Sequence, residues 1–125
     1  MNKLMSKWFS KWVKKSKISN KSLLSAIENF ETGNIVDLGG GLYKIRVSRP
    51  NQGKSGGYRT LVIYKKEDLA LFVYGFAKNE KDNISATELS FFKKQAKHIL
   101  NFNKDQINQA MACGEFIKLE NENEK

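Results

Sequence analysis

Cysteine and histidine each occur once in this chain, as Cys113 and His98. A lone cysteine rules out an internal disulfide and suits a reducing compartment, the cytoplasm being the simplest. Its own chemistry reads as that of a small buried apolar residue rather than a reactive thiol. With one histidine and one cysteine there is no zinc-type ligand set, and no metal or cofactor is expected. A Ser–His–Asp arrangement would have to use His98, which stands among Lys93, Lys94 and Lys97 on a solvated helical face; no nucleophile-elbow pattern accompanies it. Paired-carboxylate chemistry has no special support either. No apolar run approaches the roughly 20 residues of a membrane span, and the N-terminal lysines are not followed by the apolar core of a secretory signal.

Acidic residues are missing from two long stretches. Seven lysines and no acid precede Glu28. Between Asp37 and Glu67 lie Lys44, Arg46, Arg49, Lys54, Arg59, Lys65 and Lys66, again with no acid. The acids return near the C-terminus, at Glu115, Glu120, Glu122 and Glu124, and the formal charge is still +9. Positive charge clustered on a strand pair is unfavourable unless something negative lies against it, and a phosphate backbone is the leading candidate.

What is present reads as one domain spanning residues 1–125, with residues 120–125 a frayed polar tail. A short strand over residues 2–6 precedes a helix over 7–17, where Trp8, Phe9, Trp12 and Val13 share one face and lysines take much of the rest. The aromatic face reads as packing on a core rather than inserting into a membrane. A second helix opens at Ser19, its N-cap, with Ile18 and Leu23 at the staple positions. Leu23, Leu24, Ile27 and Phe30 form its apolar stripe, and Gly33 ends it. After an extended piece at Ile35–Leu38 and a Gly39–Gly41 turn, the period changes to two. Tyr43, Ile45 and Val47 point one way; Lys44, Arg46 and Ser48 point the other. A loop from Arg49 to Gly57 leads into strands at Tyr58–Tyr64 and Leu69–Phe76, joined by a charged turn at Lys65–Asp68; the last strand is apolar on both faces. Ser85 and Glu88 fit a capping box for a helix with Leu89, Phe92, Ala96 and Ile99 inward. Asn103 and Gln106 fit another, and Gly114 stops that helix before a short strand at Phe116–Leu119. Two helices, a three-strand antiparallel meander and then helices make an α+β fold.

Gly53-Lys54-Ser55 resembles the end of a P-loop, but Ser48 stands where the motif needs glycine and a strand, not a helix, follows. What remains is a cationic site. Lys44 and Arg46 share a strand face, and Arg59 opens the neighbouring strand. Such a cluster has a metal-free route to RNA cleavage: a ribose 2′-hydroxyl attacks the adjacent phosphate, guanidinium groups clamp the phosphate oxygens, and a lysine moves the proton. A patch that only binds is the simpler inference from composition.

The run GGGLYKIRVSRPNQGKSGGYRTLVIYKKEDLALFVYGFAKNEKDNIS closely resembles one branch of the RelE/HigB superfamily of bacterial toxins. GKSGGYRTL followed by FVYGFAKNE carries the resemblance over roughly residues 39–89, and the WF…KK…IS…L spacing extends it to the N-terminal helices. The resemblance implies a RelE-like toxin fold, a helical pair packed on a small curved antiparallel sheet with C-terminal helices. It implies the toxin of a type II toxin–antitoxin pair: a HigB-like, metal-independent endoribonuclease (an mRNA interferase) that cleaves mRNA at the ribosome and so inhibits translation in the cytoplasm. Its partners would be mRNA, the ribosome and a co-encoded antitoxin, which in this branch often carries a helix-turn-helix domain. By position, Lys44, Arg46, Arg59 and Lys78 match the family's catalytic cations. Arg49, Lys54, Tyr58 and Asn79 are the expected RNA contacts. The chain departs from the best-studied pattern where Asn79 replaces an arginine and Ser85 a base-stacking tyrosine. Two alternatives stand beside this one: a ParE-like toxin acting on gyrase through protein contacts, and a non-catalytic relic that binds RNA or the ribosome.

Overall fold

The computed structural model describes residues 1–30, 33, 35–48, 57–81 and 83–120. Six strands form one mostly antiparallel sheet: β1 (Asn2–Ser6), β2 (Ile35–Gly39), β3 (Leu42–Val47), β4 (Tyr58–Lys65), β5 (Leu69–Ala77) and β6 (Phe116–Lys118). Their order is β2-β3-β4-β5-β1-β6. The expected meander β3–β4–β5 is the centre of this sheet. The three short pieces read at residues 2–6, 35–38 and 116–119 extend it on both sides. β1 runs parallel to β5, with Asn2 opposite Leu69 and Met5 opposite Phe72, and β6 closes antiparallel on β1. The β4–β5 turn is held by the Asp68 N–H on the Lys65 carbonyl at 3.0 Å and by a Lys65–Asp68 ion pair at 3.5 Å.

Helices cover both faces. α1 (Lys7–Ser16) starts where the Ser6 hydroxyl accepts the Phe9 N–H at 3.2 Å and stops at Lys17, in the left-handed region with φ 57°. α2 (Asn20–Glu28) is capped by Ser19, as its sequence indicates. It ends earlier than expected, at Asn29, whose carbonyl accepts the Gly33 N–H at 2.6 Å. These two helices bury Phe9, Val13, Leu23 and Ile27 against Ile45, Val62 and Phe72, with Phe9 stacked on Phe72 at 5.0 Å between centroids. α3 (Ala86–Leu100) and α4 (Lys104–Ala112) open on the two expected capping boxes. They bury Ala96, Ile99, Ile107 and Ala110 against Leu4, Leu42, Leu61, Ile63 and Leu71 on the other face. The sheet is therefore sandwiched, which explains why β4 and β5 are apolar on both sides.

Two glycines are required by close approach. A Cβ on Gly75 would lie 2.3 Å from the Trp12 ring, and one on Gly41 (φ +85°) would lie 2.3 Å from Leu100 Cδ1. Cys113 departs from expectation. It is exposed, not buried, because α4 ends at Ala112 and the chain turns at Gly114 (φ +84°); its thiol donates to the Ala110 carbonyl at 3.4 Å. Among the described residues no helix is long and apolar enough to cross a membrane.

Candidate nucleic-acid interface

Strand register decides which side chains meet. Residues directly opposite in an antiparallel pair share a face. On the face that carries α3, β3, β4 and β5 therefore present three cross-strand rows: Leu42–Ile63–Leu71, then Lys44–Leu61–Tyr74, then Arg46–Arg59–Phe76. The first row is buried beneath α3 and α4. The second is half covered. The third lies at the end of the face, where the basic side chains of β3 and β4 meet.

A bulge makes the third row possible on β5. Leu61 faces Tyr74 while Val62 faces Phe72, so Val73 is the extra residue. Simple alternation from Leu71 would send Tyr74 and Phe76 to the α1 face. The inserted residue re-aims both to the side of Arg59. This settles which face the two aromatics take: Phe76 is a buried floor beside Arg59, and Tyr74 is half-buried.

Arg46 and Arg59 stand directly opposite each other. Like charges in that position destabilise a sheet. Arg59 Nη1 is buried and has no hydrogen-bond partner among the described residues. Burial first, and then the charge of Arg46, lower the pKa of Arg59 from its ordinary value. Two rungs along β3, Lys44 is on the same face, and its Nζ donates to Asn83 Oδ1 at 3.3 Å. Asn83 Oδ1 also accepts the Ile84 N–H at 2.9 Å, so Lys44 is tied to the segment leading into α3.

That segment is fastened a second time. The Tyr74 hydroxyl donates to Glu88 Oε2 at 2.8 Å, while Lys81 donates to Glu88 Oε1 and, at 3.5 Å, to the Tyr74 oxygen. Glu88 Oε1 accepts the Ser85 N–H at 2.8 Å, completing the capping box. The Lys81 ammonium, helped by the Ser85 backbone, holds the Glu88 carboxyl at about 2. Burial and then the Glu88 hydrogen bond push Tyr74 up, and its hydrogen bond to Glu88 raises Lys81. Glu88 is thus committed to a structural triad with Tyr74 and Lys81 and to the cap of α3.

Of the residues expected at the site, Lys44, Arg46 and Arg59 are brought together. Lys78 and Asn79 are exposed in the turn directly after β5, at the start of the segment that Lys81 and Asn83 fasten. Arg49 and Lys54 lie outside the described residues. Tyr58 does not join the group. It is adjacent to Arg59 and so points to the opposite face, only 5 % exposed, edge-on to Trp12 at 5.3 Å with its hydroxyl donating to the Ser16 carbonyl at 3.3 Å. Ser85, where the better-known pattern has tyrosine, is the N-cap of α3, its hydroxyl accepting the Glu88 N–H at 3.1 Å. Sequence reasoning missed the Tyr74–Lys81–Glu88 triad. Glu88 was visible as half of a capping box, but nothing local ties it to a strand fourteen residues earlier.

A sandwiched α+β sheet with one cationic corner, where Arg46 and Arg59 stand opposite each other, defines a small protein suited to engaging a polyanion. The family model described as the RelE toxin of the RelE / RelB toxin-antitoxin system matches residues 1–119. The chain belongs to that family: it is the toxin of a toxin–antitoxin pair, and membership implies a cognate antitoxin. No curated protein matches it.

Proposed function

We propose that this toxin is a metal-independent mRNA endonuclease that acts at the ribosome and arrests translation in the cytoplasm, with residues 1–125 working as one domain. The observation that carries this reading is the Arg46–Arg59 pair, with a buried Arg59 nitrogen left without a partner among the described residues. Two arginines directly opposite each other on neighbouring strands suit the non-bridging oxygens of one phosphate, and a phosphorane gains more negative charge there than the ground state carries. In this scheme Arg59 and Arg46 clamp the scissile phosphate. Lys44 removes or electrostatically assists loss of the 2′-hydroxyl proton, and the 2′-oxygen attacks phosphorus. The P–O5′ bond breaks, leaving a 2′,3′-cyclic phosphate, and Lys78 delivers a proton to the departing 5′-oxygen. Asn79, Arg49 and Lys54 are assigned to the RNA backbone flanking the cut. Phe76 and Tyr74, rather than Tyr58, are the aromatics on the face of the arginines.

The test is induction of wild type beside Arg59→Ala in a bacterial host, with primer-extension mapping of cellular mRNA. Growth arrest with new in-frame cuts, both lost in the variant, supports the assignment. Arrest without cuts moves the target to gyrase or to ribosome binding alone, and a supercoiling assay on purified protein separates those two.

A further inference from the structure

α2 carries a polar ridge. Lys21, Ser25 and Asn29 recur at four-residue spacing and Ser22 joins them, while Leu23 and Ile27 are buried on the inner side. Such a ridge is ordinarily a solvated helix face. Here it walls a pocket of about 290 Å³, which Ile35, Ile45 and Arg46 also line. The pocket lies at the edge of the sheet. Among the described residues β2 begins at Ile35, opposite Ile45, so Arg46 and Val47 pair with β4 alone and the outer edge of β3 has no strand beside it there.

Arg46 belongs to two places. It stands opposite Arg59 in the cationic row and it lines this pocket, so a phosphate held by the two arginines has its neighbouring nucleotide within reach of the pocket. The lining matches a nucleoside group by group. Serine hydroxyls and the Asn29 amide donate and accept, as a base edge and a ribose hydroxyl require. Ile35 and Ile45 offer apolar surface to the flat of a base, Lys21 offers charge to a phosphate, and among the described residues no acid lines the pocket. Its volume is at the low end of ligand clefts, about 300–1,000 Å³, which suits one unstacked nucleoside rather than a stacked run. Asn29 Nδ2 donates to Ser25 Oγ at 3.5 Å, long for a hydrogen bond, so a base edge offering a shorter one displaces that contact. A peptide would find no large apolar side chain on the helix wall to pack against.

We propose that this pocket receives the unstacked nucleoside next to the scissile phosphate and sets the base preference of the cut. Ser25 and Asn29 read the base edge, and Lys21 contacts the phosphate beyond it. The proposal rests on the nuclease reading above and deepens it by naming where one base is recognised. Its test reads which base flanks the cut, not whether cutting occurs, so its failure and that of the nuclease reading are distinguishable.

The experiment is primer-extension mapping of cellular mRNA after induction of wild type, Ser25→Leu, Asn29→Ala and Lys21→Ala, with thermal midpoints measured on the purified proteins. Wild type shows a preferred base at one position flanking the cut. Ser25→Leu fills the pocket from an exposed helix position and Asn29→Ala removes the amide. Both keep the wild-type midpoint and still cut, but the preference at that one position falls about fivefold or more while other positions keep theirs. Lys21→Ala lowers cutting severalfold and alike at every sequence, as loss of a phosphate contact does. Cuts with the wild-type base preference in both Ser25→Leu and Asn29→Ala overturn the proposal and leave the nuclease reading standing. So does wild-type cutting with no preferred flanking base. Absence of cuts in wild type overturns the nuclease reading and this proposal with it. Unaltered cutting by Ser25→Leu beside a lost affinity for the antitoxin encoded next to its gene would assign the pocket to a peptide and overturn it equally.

Discussion

The two ends of one sheet face are built from the same three strands and do opposite things. At one end, Leu42, Ile63 and Leu71 lie under α3 and α4 with no exposed surface. At the other, Arg46 and Arg59 face each other and an Arg59 nitrogen is left unpartnered among the described residues. The covered end supplies stability through burial. The open end carries a local destabilisation, like charges opposed and a guanidinium drawn partly out of water, that the covered end must offset. A site prearranged for an anion is expected to show that imbalance, because the repulsion is relieved only when the anion arrives.

Substitution at the open end should abolish activity without loss of fold. Arg59→Ala is expected to lower the cleavage rate by about 100-fold or more, the scale seen when one transition-state donor is removed. Its midpoint in urea should equal or exceed that of wild type, since a like-charge pair has gone. A fall in both, measured on the same preparation, would mean Arg59 is structural.

The reverse pattern belongs to the covered end. Leu61→Ala, at a fully buried position, should cost about 2–5 kcal/mol in denaturant unfolding. Cleavage per folded molecule should fall far less than in Arg59→Ala, although Leu61 lies between Lys44 and Tyr74. Were the per-molecule rate to collapse as well, the two ends would not be separable. Gly75→Ala sharpens the same comparison from the opposite face. The added methyl would meet the Trp12 ring at 2.3 Å. The expected cost is about 1–3 kcal/mol, read as a lowered urea midpoint.

Much of the helical cover on both faces was legible in the chain, because its signals are local. Ser19, Ser85–Glu88 and Asn103–Gln106 announce their helices through capping chemistry a few residues long. The alternation at Tyr43–Ser48 correctly placed Lys44 and Arg46 on one face, and the match of Arg46 with Arg59 follows once the hairpin closes. The rest depended on events no short window contains. One extra residue, Val73, reverses the facing of Tyr74 and Phe76, and alternation has no way to announce a bulge. The resemblance made Tyr58 an expected RNA contact, yet adjacency to Arg59 along the strand sends it to the other side. The parallel pairing of β1 with β5 joins residues more than sixty apart, as Asn2 with Leu69. Cys113 was misjudged because a preference for burial says nothing about whether a helix ends one residue earlier.

Between the two ends stands the Tyr74–Lys81–Glu88 triad, where the comparison gives its smallest and most specific effect. Glu88 has a folded-state value of about 2 against an ordinary 4.5. A depressed carboxyl contributes stability that is complete above about pH 4.5 and is lost as pH falls toward 2. Glu88→Gln should therefore cost about 1 kcal/mol at neutral pH, the combined scale of a capping contact and a partly exposed ion pair. The gap from wild type should narrow between pH 4.5 and 2 and close at the acid end, where the wild-type carboxyl is itself protonated. Because the triad fastens the segment that follows Lys78 and Asn79, the same variant should also slow cleavage at neutral pH, by less than Arg59→Ala does. Unfolding curves at several pH values, run beside cleavage assays at neutral pH, separate the outcomes. A stability loss with no kinetic effect would confine the triad to capping α3. A kinetic effect with no change in stability would place Glu88 or Tyr74 in contact with the RNA.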